Sequence, residues 1–188
     1  MRKIISFTHV SVDGYYAGPD GEIDWFKVSN DEEKAFTHEA AKQSSTLIFG
    51  HTTYEMMAGF WPTPDAVRSD PVIAGVLNSA QKIVFSKTLK PVKDGPVWKN
   101  VKVLHEIQQE EIAGLKEQAG GDFVILGSGT IVQQLANLGL IDEYQLIVHP
   151  VVLGAGRYLF KGVNRTNLNL LDIRTFRSGK VFLKYGRV

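Results

Sequence analysis

The chain has 188 residues, of which 44% are hydrophobic and 22% are charged, values typical of a globular protein with a sizeable core. Its 21 basic and 20 acidic residues give a net charge of +1, so no strong field attracts a polyanion and nucleic acid is not expected as a partner. The absence of cysteine excludes disulfides, thiolate chemistry and cysteine-ligated zinc.

The first residues, MRKIISFTHV, predict a strand over 2–10. Their basic start and apolar continuation superficially resemble a signal peptide, but Ser6, Thr8 and His9 interrupt the apolar run and favour a strand. No apolar run approaches the length of about 20 residues that crosses a bilayer. We therefore expect a cytoplasmic protein without a membrane partner.

Strands and helices alternate along most of the chain after a glycine-rich loop over 11–24. In chain order the predicted elements are a helix over 30–43, a strand over 46–49, a helix through 54–58, a loop over 59–71, a helix over 70–79, a strand over 82–85, a loop or edge strand over 89–102, a strand over 99–104, a helix over 106–118, a strand over 123–126 leading into a helix, a strand over 143–149, a loop over 149–160, and strands near 168–176 and 180–187. This order predicts an α/β fold with a mostly parallel sheet and antiparallel C-terminal strands at one edge. Because no linker or repeat divides it, the chain is expected to form a single domain over 1–188.

The stretch FVILGSGTIVQQL (123–135) predicts a strand, a glycine turn and a helix in immediate succession. Gly127 and Gly129 lack the Cβ that would hold a ligand away from the backbone, and Ser128 and Thr130 add hydroxyl donors. A helix N-terminus exposes unpaired N–H groups and the positive end of its dipole, which attract phosphate. The alternative is a simple connection in which Ser128 or Thr130 caps the helix.

Two further strands end in comparable turns. In an open parallel sheet ligands bind outside the carboxyl ends of the strands, so the turns after 46–49, 82–85 and 123–126 should lie side by side. The added residues are Gly50, His51, Thr52, Thr53, Ser86 and Lys87. Lys87, with His51 as a further candidate cation, favours a dinucleotide whose adenosine carries a 2′-phosphate. For a dinucleotide without the 2′-phosphate, we would instead expect an acidic side chain that accepts hydrogen bonds from the ribose hydroxyls. The alternative is that these Ser and Thr residues only cap helices.

Several motifs resemble a known family. They are FTHVSVDGYYAG (7–18), IFGHTTYE (48–55), VFSKTL (84–89), VILGSGTIVQQL (124–135) and LGAGRYLF (153–160). In this order they look like the dihydrofolate reductase superfamily. The nearer branch is that of the C-terminal reductase domain of bifunctional riboflavin-biosynthesis deaminase-reductases. The resemblance spans nearly the whole chain, and the zinc-bearing deaminase half is absent.

The resemblance implies a three-layer dihydrofolate reductase-like fold and NADPH as the cofactor. Residues 50–53 with Ser86 and Lys87 would hold the adenosine phosphates, residues 127–130 would hold the pyrophosphate, and the loop 11–18 would cover the nicotinamide and the substrate. One departure is His51, because family members usually have arginine there, and neutral histidine would grip phosphate less strongly.

A second departure concerns the first helix, where folate reductases place an acid that holds the pterin ring. Counting back from Gly50, this position falls near Lys34, with Glu32 and Glu33 beside it. A missing acid would disfavour dihydrofolate as the natural substrate.

The candidate catalytic residue is Asp13, which follows the first strand and could face the nicotinamide pocket, although Asp-Gly also forms simple tight turns. Candidate substrate-binding residues are Tyr15, Trp25, Glu33, Trp61 and Arg157. The aromatic residues could equally pack in the core, Glu33 could only complement the helix dipole, and Arg157 could be a solvated loop residue. His9 and His38 look isolated, and no cluster has metal-ligand spacing, so no metal is expected.

The main hypothesis is an NADPH-dependent reductase that transfers a hydride to a small heterocyclic, imine or carbonyl substrate. By resemblance the substrate could be 5-amino-6-(5-phosphoribosylamino)uracil. The alternatives are a dihydrofolate reductase and a non-catalytic nucleotide-binding paralogue. Alternating apolar residues near the end, including Val181, Leu183 and Tyr185, could form an edge that a second subunit covers, so a homodimer is expected.

Overall fold

The structure is a computed structural model that describes residues 1–26, 30–89 and 98–188. In chain order its elements are β1 (Ile4–Ser11), β2 (Tyr15–Ala17), α1 (Asp31–Lys42), β3 (Ser44–Gly50), α2 (His51–Phe60), α3 (Pro64–Ser69), α4 (Pro71–Ser79), β4 (Gln81–Phe85), β5 (Val101–Leu104), α5 (Gln109–Glu117), β6 (Asp122–Gly127), α6 (Gly129–Asn137), β7 (Glu143–His149), β8 (Arg157–Tyr158), β9 (Leu168–Thr175) and β10 (Val181–Arg187).

An eight-stranded sheet in the order β5-β4-β3-β6-β1-β7-β10-β9 forms the centre of the molecule. The first six strands of this order are mutually parallel, whereas β10 runs antiparallel to both β7 and β9. The predicted α/β class, with antiparallel C-terminal strands at one edge, is therefore confirmed. A separate two-stranded sheet pairs β2 with β8.

Both faces of the parallel strands are buried, which explains their continuous apolar runs. On β3, Leu47 and Phe49 belong to an apolar cluster with α2 and α4, whereas Ile48 belongs to a second cluster with α5 and α6. Helix α6 contributes Ile131 and Leu135 to this second cluster. The sheet thus lies between two helical layers, as the predicted three-layer fold requires.

Three short elements lie in segments that were predicted as loops. Helix α3 lies inside 59–71, where Thr63 accepts a hydrogen bond from the Ala66 amide and Pro64 occupies the first turn. A proline at this position favours the start of a helix, because the N–H groups of the first turn have no partner within the helix and the missing proline N–H costs no hydrogen bond. Strands β2 and β8 lie in the loops 11–24 and 149–160, and each needs the other as a partner, so neither was visible locally. The first part of the predicted loop 89–102, over 90–97, lies outside the described residues.

Among the described residues, no helix combines the length and the apolar character that crossing a membrane requires.

Candidate functional site

The parallel strands place their carboxyl ends along one edge of the sheet. Because the strand order is β4-β3-β6-β1-β7, the residues that end these strands form a line from Ser86 through Gly50 and Gly127 to His149. The predicted neighbourhood of the three turns is confirmed. The chain reverses its direction of winding around β6, and in such sheets ligands bind at this switch point.

Two helices begin side by side at the centre of this edge. Helix α2 follows Gly50 and α6 follows Ser128, and neither first turn receives a side-chain cap. A Cβ built on Gly50 would lie 2.7 Å from Ser128 Oγ, and one on Gly127, whose φ is +136°, would lie 3.0 Å from Thr53 Oγ1. Two sets of unpaired N–H groups therefore converge on a cradle that only glycines leave open.

The alternative interpretation, in which Ser128 or Thr130 caps α6, is not what the structure shows. Ser128 stands at the N-cap position, but its hydroxyl lies 2.6 Å from Thr130 Oγ1 instead of accepting a backbone N–H. In contrast, α1 and α4 are capped by the side chains of Asn30 and Asp70. The Gly129 and Thr130 N–H groups at the start of α6 consequently stay available for an anionic ligand, whereas the Ile131 N–H donates to the Ser128 carbonyl oxygen at 3.0 Å.

Tyr16 covers this cradle from the two-stranded sheet. A Cβ on Gly129 would lie only 2.2 Å from Tyr16 Cε1, so the ring rests directly on the start of α6. Burial raises the pKa of Tyr16, while a hydrogen bond from the Arg157 side chain opposes the shift. These contacts place Arg157 beside the glycine cradle, on the strand β8 that pairs with β2, which carries Tyr15.

His51, at the start of α2, connects this helix to the end of β4. Its Nδ1 lies 3.2 Å from Ser86 Oγ and 3.1 Å from Thr88 Oγ1, and its Nε2 lies 2.8 Å from Glu55 Oε1. His105, which follows β5, has its Nδ1 3.1 Å from the Ser86 carbonyl oxygen. The sequence had indicated His51 and Ser86 here. Thr88 and Glu55 lie in the same two motifs but were not named as site residues, and nothing local ties His105 to these turns. The exposed residues Thr52 and Lys87 belong to the same turns.

A buried aromatic cluster occupies the other end of the line, at β1 and β7. His9 Nδ1 lies 2.8 Å from His149 Nε2, Phe26 stacks on His9 with centroids 4.5 Å apart, and Trp25 meets His149 edge-on at 5.2 Å. Burial lowers the pKa of His9 to about 3 and that of His149 to about 4. Both imidazoles are therefore neutral near pH 7. The Trp25 Nε1 atom is buried without a hydrogen-bond partner.

Glu33 and Lys180 form a buried ion pair beside these histidines. Their Oε2 and Nζ atoms lie 2.6 Å apart, and their side chains are only 6% and 9% exposed. Both line a cavity of about 20 Å³ together with His9 and Thr37. Glu33, one of the predicted substrate residues, is thus the acid that α1 directs inward, one position before the exposed Lys34 that the count from Gly50 had reached.

The sequence model of the RibD C-terminal domain family matches residues 2–182. The chain belongs to the RibD C-terminal domain family. The predicted resemblance to reductase domains of riboflavin biosynthesis is therefore confirmed at the level of the family.

Known relatives of this RibD C-terminal domain cover almost its whole length. YyaP of Bacillus subtilis strain 168, an uncharacterized protein, is 32% identical over 186 residues, which is 98% of this chain and 95% of YyaP. A putative riboflavin biosynthesis protein from Shewanella sp. PV-4 matches with a TM-score of 0.78 at 23% identity, covering 99% of both chains. Dihydrofolate reductase from Enterococcus faecalis, in complex with NADP(H) and RAB-propyl, matches with a TM-score of 0.64 at 16% identity, covering 98% of this chain and 96% of that chain. The predicted dihydrofolate reductase-like fold is confirmed.

In this RibD C-terminal domain, Asp13 has contacts that favour a structural role over the predicted catalytic one. Its Oδ1 accepts a hydrogen bond from the Leu153 amide at 3.1 Å, and its Oδ2 accepts one from the Gly154 amide at 2.8 Å. A hydrogen bond with the Ser11 side chain, followed by those from Gly154 and Leu153, lowers the pKa of Asp13. An ionised carboxylate that holds two loop amides has no proton to deliver near neutral pH.

Tyr15 and Trp61 lie in different surroundings from the histidine cluster. Tyr15 meets Tyr158 edge-on at 5.7 Å within the two-stranded sheet. Trp61 donates its indole N–H to Met57 Sδ at 3.2 Å and packs against the apolar cluster between α2, α4 and the sheet. Of the predicted substrate residues, Trp25 and Glu33 are the ones that lie together at the end of β1 and β7.

Neither His9 nor His38 is isolated, contrary to the sequence interpretation. His9 contacts His149, and His38 Nε2 lies 2.9 Å from Asp70 Oδ2. Among the described residues of this family member, no group of three or more His, Asp or Glu side chains is arranged to hold a metal ion. A cavity of about 390 Å³ lies at the opposite edge of the sheet, lined in part by Asn137, Arg165 and Arg187, and is separate from this site.

Proposed function

We propose that this chain is a reductase that uses a nicotinamide dinucleotide, with NADPH as the natural cofactor. The observation that carries this proposal is the pair of adjacent, uncapped helix N-termini at the glycine cradle formed by Gly50, Gly127 and Gly129. A pyrophosphate offers the anionic oxygens that such converging N–H groups bind. The residues present therefore fit the group, and its adenosine end would extend toward Ser86 and Lys87.

The bound nicotinamide would supply a hydride from its C4 position to a small heterocyclic, imine or carbonyl substrate. The protein would contribute orientation and the exclusion of water. Trp25 and Phe26 cover the neutral pair His9 and His149, which would exclude water from this end of the site and protect a reactive substrate.

The substrate class follows from the same end of the site. Glu33 is bound by Lys180, so its charge is compensated within the protein and does not need a cationic ring as a partner. This arrangement favours a substrate that does not need the Glu33 carboxylate over dihydrofolate, whose pterin ring would have to displace Lys180. A riboflavin precursor such as 5-amino-6-(5-phosphoribosylamino)uracil fits this requirement, and the name of the Shewanella relative supports it.

The proposal also includes a homodimer formed through β9, the last strand in the sheet order. Strand β9 is exposed almost throughout, with Leu170 52%, Leu171 55% and Ile173 55% exposed. Ile173 pairs with Leu183 on β10, which in turn pairs with Leu146 on β7, so an apolar stripe crosses three strands. Long apolar edge strands tend to pair with another chain, and a second copy of this protein would cover β9.

Direct binding followed by turnover tests the proposal. Purified protein is titrated with NADPH and NADH by calorimetry, and absorbance at 340 nm is then followed with the ribosylamino-pyrimidine and with dihydrofolate. Binding of NADPH and oxidation with the pyrimidine are expected. Failure to bind either nucleotide contradicts the proposal, turnover of dihydrofolate alone favours a folate reductase, and binding without turnover of either substrate favours a non-catalytic paralogue.

A further inference from the structure

The strand order places the adenosine end of the proposed dinucleotide over β3 and β4. With the pyrophosphate at the start of α6, after β6, and the substrate at β1 and β7, the remaining direction along the edge leads toward His51 and Ser86. The distance from β6 to β4 is two strand spacings, or about 10 Å. The group on the adenosine ribose would therefore meet the side chains around His51.

The hydrogen bonds around Ser86 determine which nitrogen of His51 carries a proton. Ser86 Oγ accepts from the Leu89 amide at 2.9 Å and from the Thr88 amide at 3.2 Å, which uses both of its lone pairs. His51 Nδ1 therefore accepts a hydroxyl proton, from Ser86 Oγ at 3.2 Å or from Thr88 Oγ1 at 3.1 Å. His51 then carries its proton on Nε2 and donates it to Glu55 Oε1 at 2.8 Å.

This network adds one exposed acceptor, the Glu55 carboxylate, to the donors that the start of α2 and Lys87 offer a ligand. The Ser86 hydroxyl and the His51 N–H are both engaged inside the protein, and the Glu55 side chain is 62% exposed, so its carboxylate can reach a ligand. A carboxylate accepts hydrogen bonds from ribose hydroxyls and repels a phosphate. Lys87 is the opposing positive charge, and the imidazole of His105 lies on the far side of Ser86.

We propose that Glu55 is a specificity-determining residue that favours a 2′-hydroxyl over a 2′-phosphate and so keeps the preference for NADPH over NADH small. This inference rests on the proposed function, because it requires a nicotinamide dinucleotide in the cradle. It goes beyond the proposed function because it assigns a role to Glu55, which was not among the predicted site residues. The Glu55 carboxylate would repel the 2′-phosphate that Lys87 attracts.

The test compares Glu55→Gln with the native protein by calorimetric titration of NADPH and of NADH at one pH and ionic strength. Glutamine keeps an oxygen that accepts from His51 and removes only the charge. We expect NADPH to bind about three- to tenfold more tightly, in line with the size of exposed charge interactions, while NADH binding stays equal or weakens. Glu39→Gln, an exposed acid on α1, is the matched control and should change neither affinity.

The outcomes separate this inference from the proposed function. If Glu55→Gln changes the affinities for NADPH and NADH by the same factor, or leaves both unchanged, Glu55 does not read the 2′ position, and the proposed reductase is unaffected. If the native protein binds neither nucleotide, the proposed function fails and this inference fails with it. Repeating the titrations with 2′,5′-ADP and 5′-AMP should reproduce the shift, since both lack the nicotinamide half.

Discussion

His9 and His149, which are 140 positions apart in the chain, share a hydrogen bond of 2.8 Å between Nδ1 and Nε2. The contact joins the ends of the parallel strands β1 and β7, directly beside the Glu33–Lys180 ion pair. Burial, the neighbouring imidazole and Lys180 all lower the pKa of His9. His9 and His149 therefore form a neutral, hydrogen-bonded pair at the proposed substrate end of the site.

This pair should make the stability of the protein depend on pH. With pKa values of about 3 for His9 and about 4 for His149 in the fold, the unfolded chain, whose histidines titrate near 6.5, binds more protons below that pH. The free energy of unfolding should fall as the pH drops from 6.5 toward 4, by up to about 1.4 kcal/mol per pH unit for each histidine. His149→Gln should flatten this slope in urea denaturation, whereas His105→Gln, at an exposed position, should not.

Gly129 should not tolerate a side chain while Tyr16 keeps its position. The Cβ of Gly129→Ala would overlap the Tyr16 ring, which we expect to lower stability by about 1–3 kcal/mol in thermal melts. Adding Tyr16→Ala should recover the stability lost through this overlap. Gly75→Ala is the matched control, since a Cβ there meets nothing within 4 Å and α4 should gain about 0.5–1 kcal/mol. Equal losses of stability in Gly129→Ala and Gly75→Ala would contradict the packing of Tyr16 on α6.

Lys87→Ala should weaken NADPH more than NADH. Lys87 is exposed beside Ser86, and losing its charge removes a partner of the 2′-phosphate, which we expect to cost about three- to tenfold in NADPH affinity. Calorimetric titration measures both affinities, with Lys42→Ala on the exposed surface of α1 as the control. An equal loss for the two nucleotides would show that Lys87 does not contact the 2′-phosphate.

Asp13→Ala should loosen the loop that its carboxylate holds. We expect faster hydrogen exchange at the Leu153 and Gly154 amides, and an unchanged shape of the pH profile of turnover, because the carboxylate anchors these amides. Asp20→Ala, an exposed acid of the same loop region, should leave both amides protected. A new pH dependence of turnover with normal exchange would restore Asp13 as the proton donor.

Ile173→Glu should abolish the proposed homodimer. The substitution puts a charge into the apolar stripe that Ile173 forms with Leu183 and Leu146, where a second copy would bury it. Light scattering after size-exclusion chromatography should give a dimer for the native protein and a monomer for the variant. Val67→Glu, at a position 42% exposed on α3, should remain dimeric. A monomeric native protein at high concentration would contradict the proposal.

Local signals predicted every helix except α3 and most strands correctly, because each of these elements rests on its own periodicity. The glycine turn before α6 is an example, since strand, Gly-Ser-Gly-Thr and amphipathic helix follow one another within one segment. Helix α3 was missed because Pro62 and Pro64 were interpreted as loop residues, although Pro64 starts a helix behind the Thr63 cap.

The candidate site was only partly predictable, for a different physical reason. One residue along a helix rotates a side chain by about 100°, so a count that reached Lys34, with Glu32 and Glu33 beside it, could not decide that Glu33 is the side chain that points inward. Glu55 and His105 join the His51 turn through contacts from α2 and the end of β5. The His51–Glu55 contact has the i, i+4 spacing of a helix, whereas the contact between His105 and Ser86 spans 19 positions and leaves no trace in the local pattern.

The sequence by itself determined the α/β class, the order of the elements and the three strand ends that meet at one edge, because hydrophobic periodicity and turn residues act over short distances. Only the tertiary structure decided that His9 meets His149, that Lys180 neutralises Glu33 and that Tyr16 covers Gly129. Each of these depends on side chains brought together from distant segments, and their directions are set by packing rather than by local sequence.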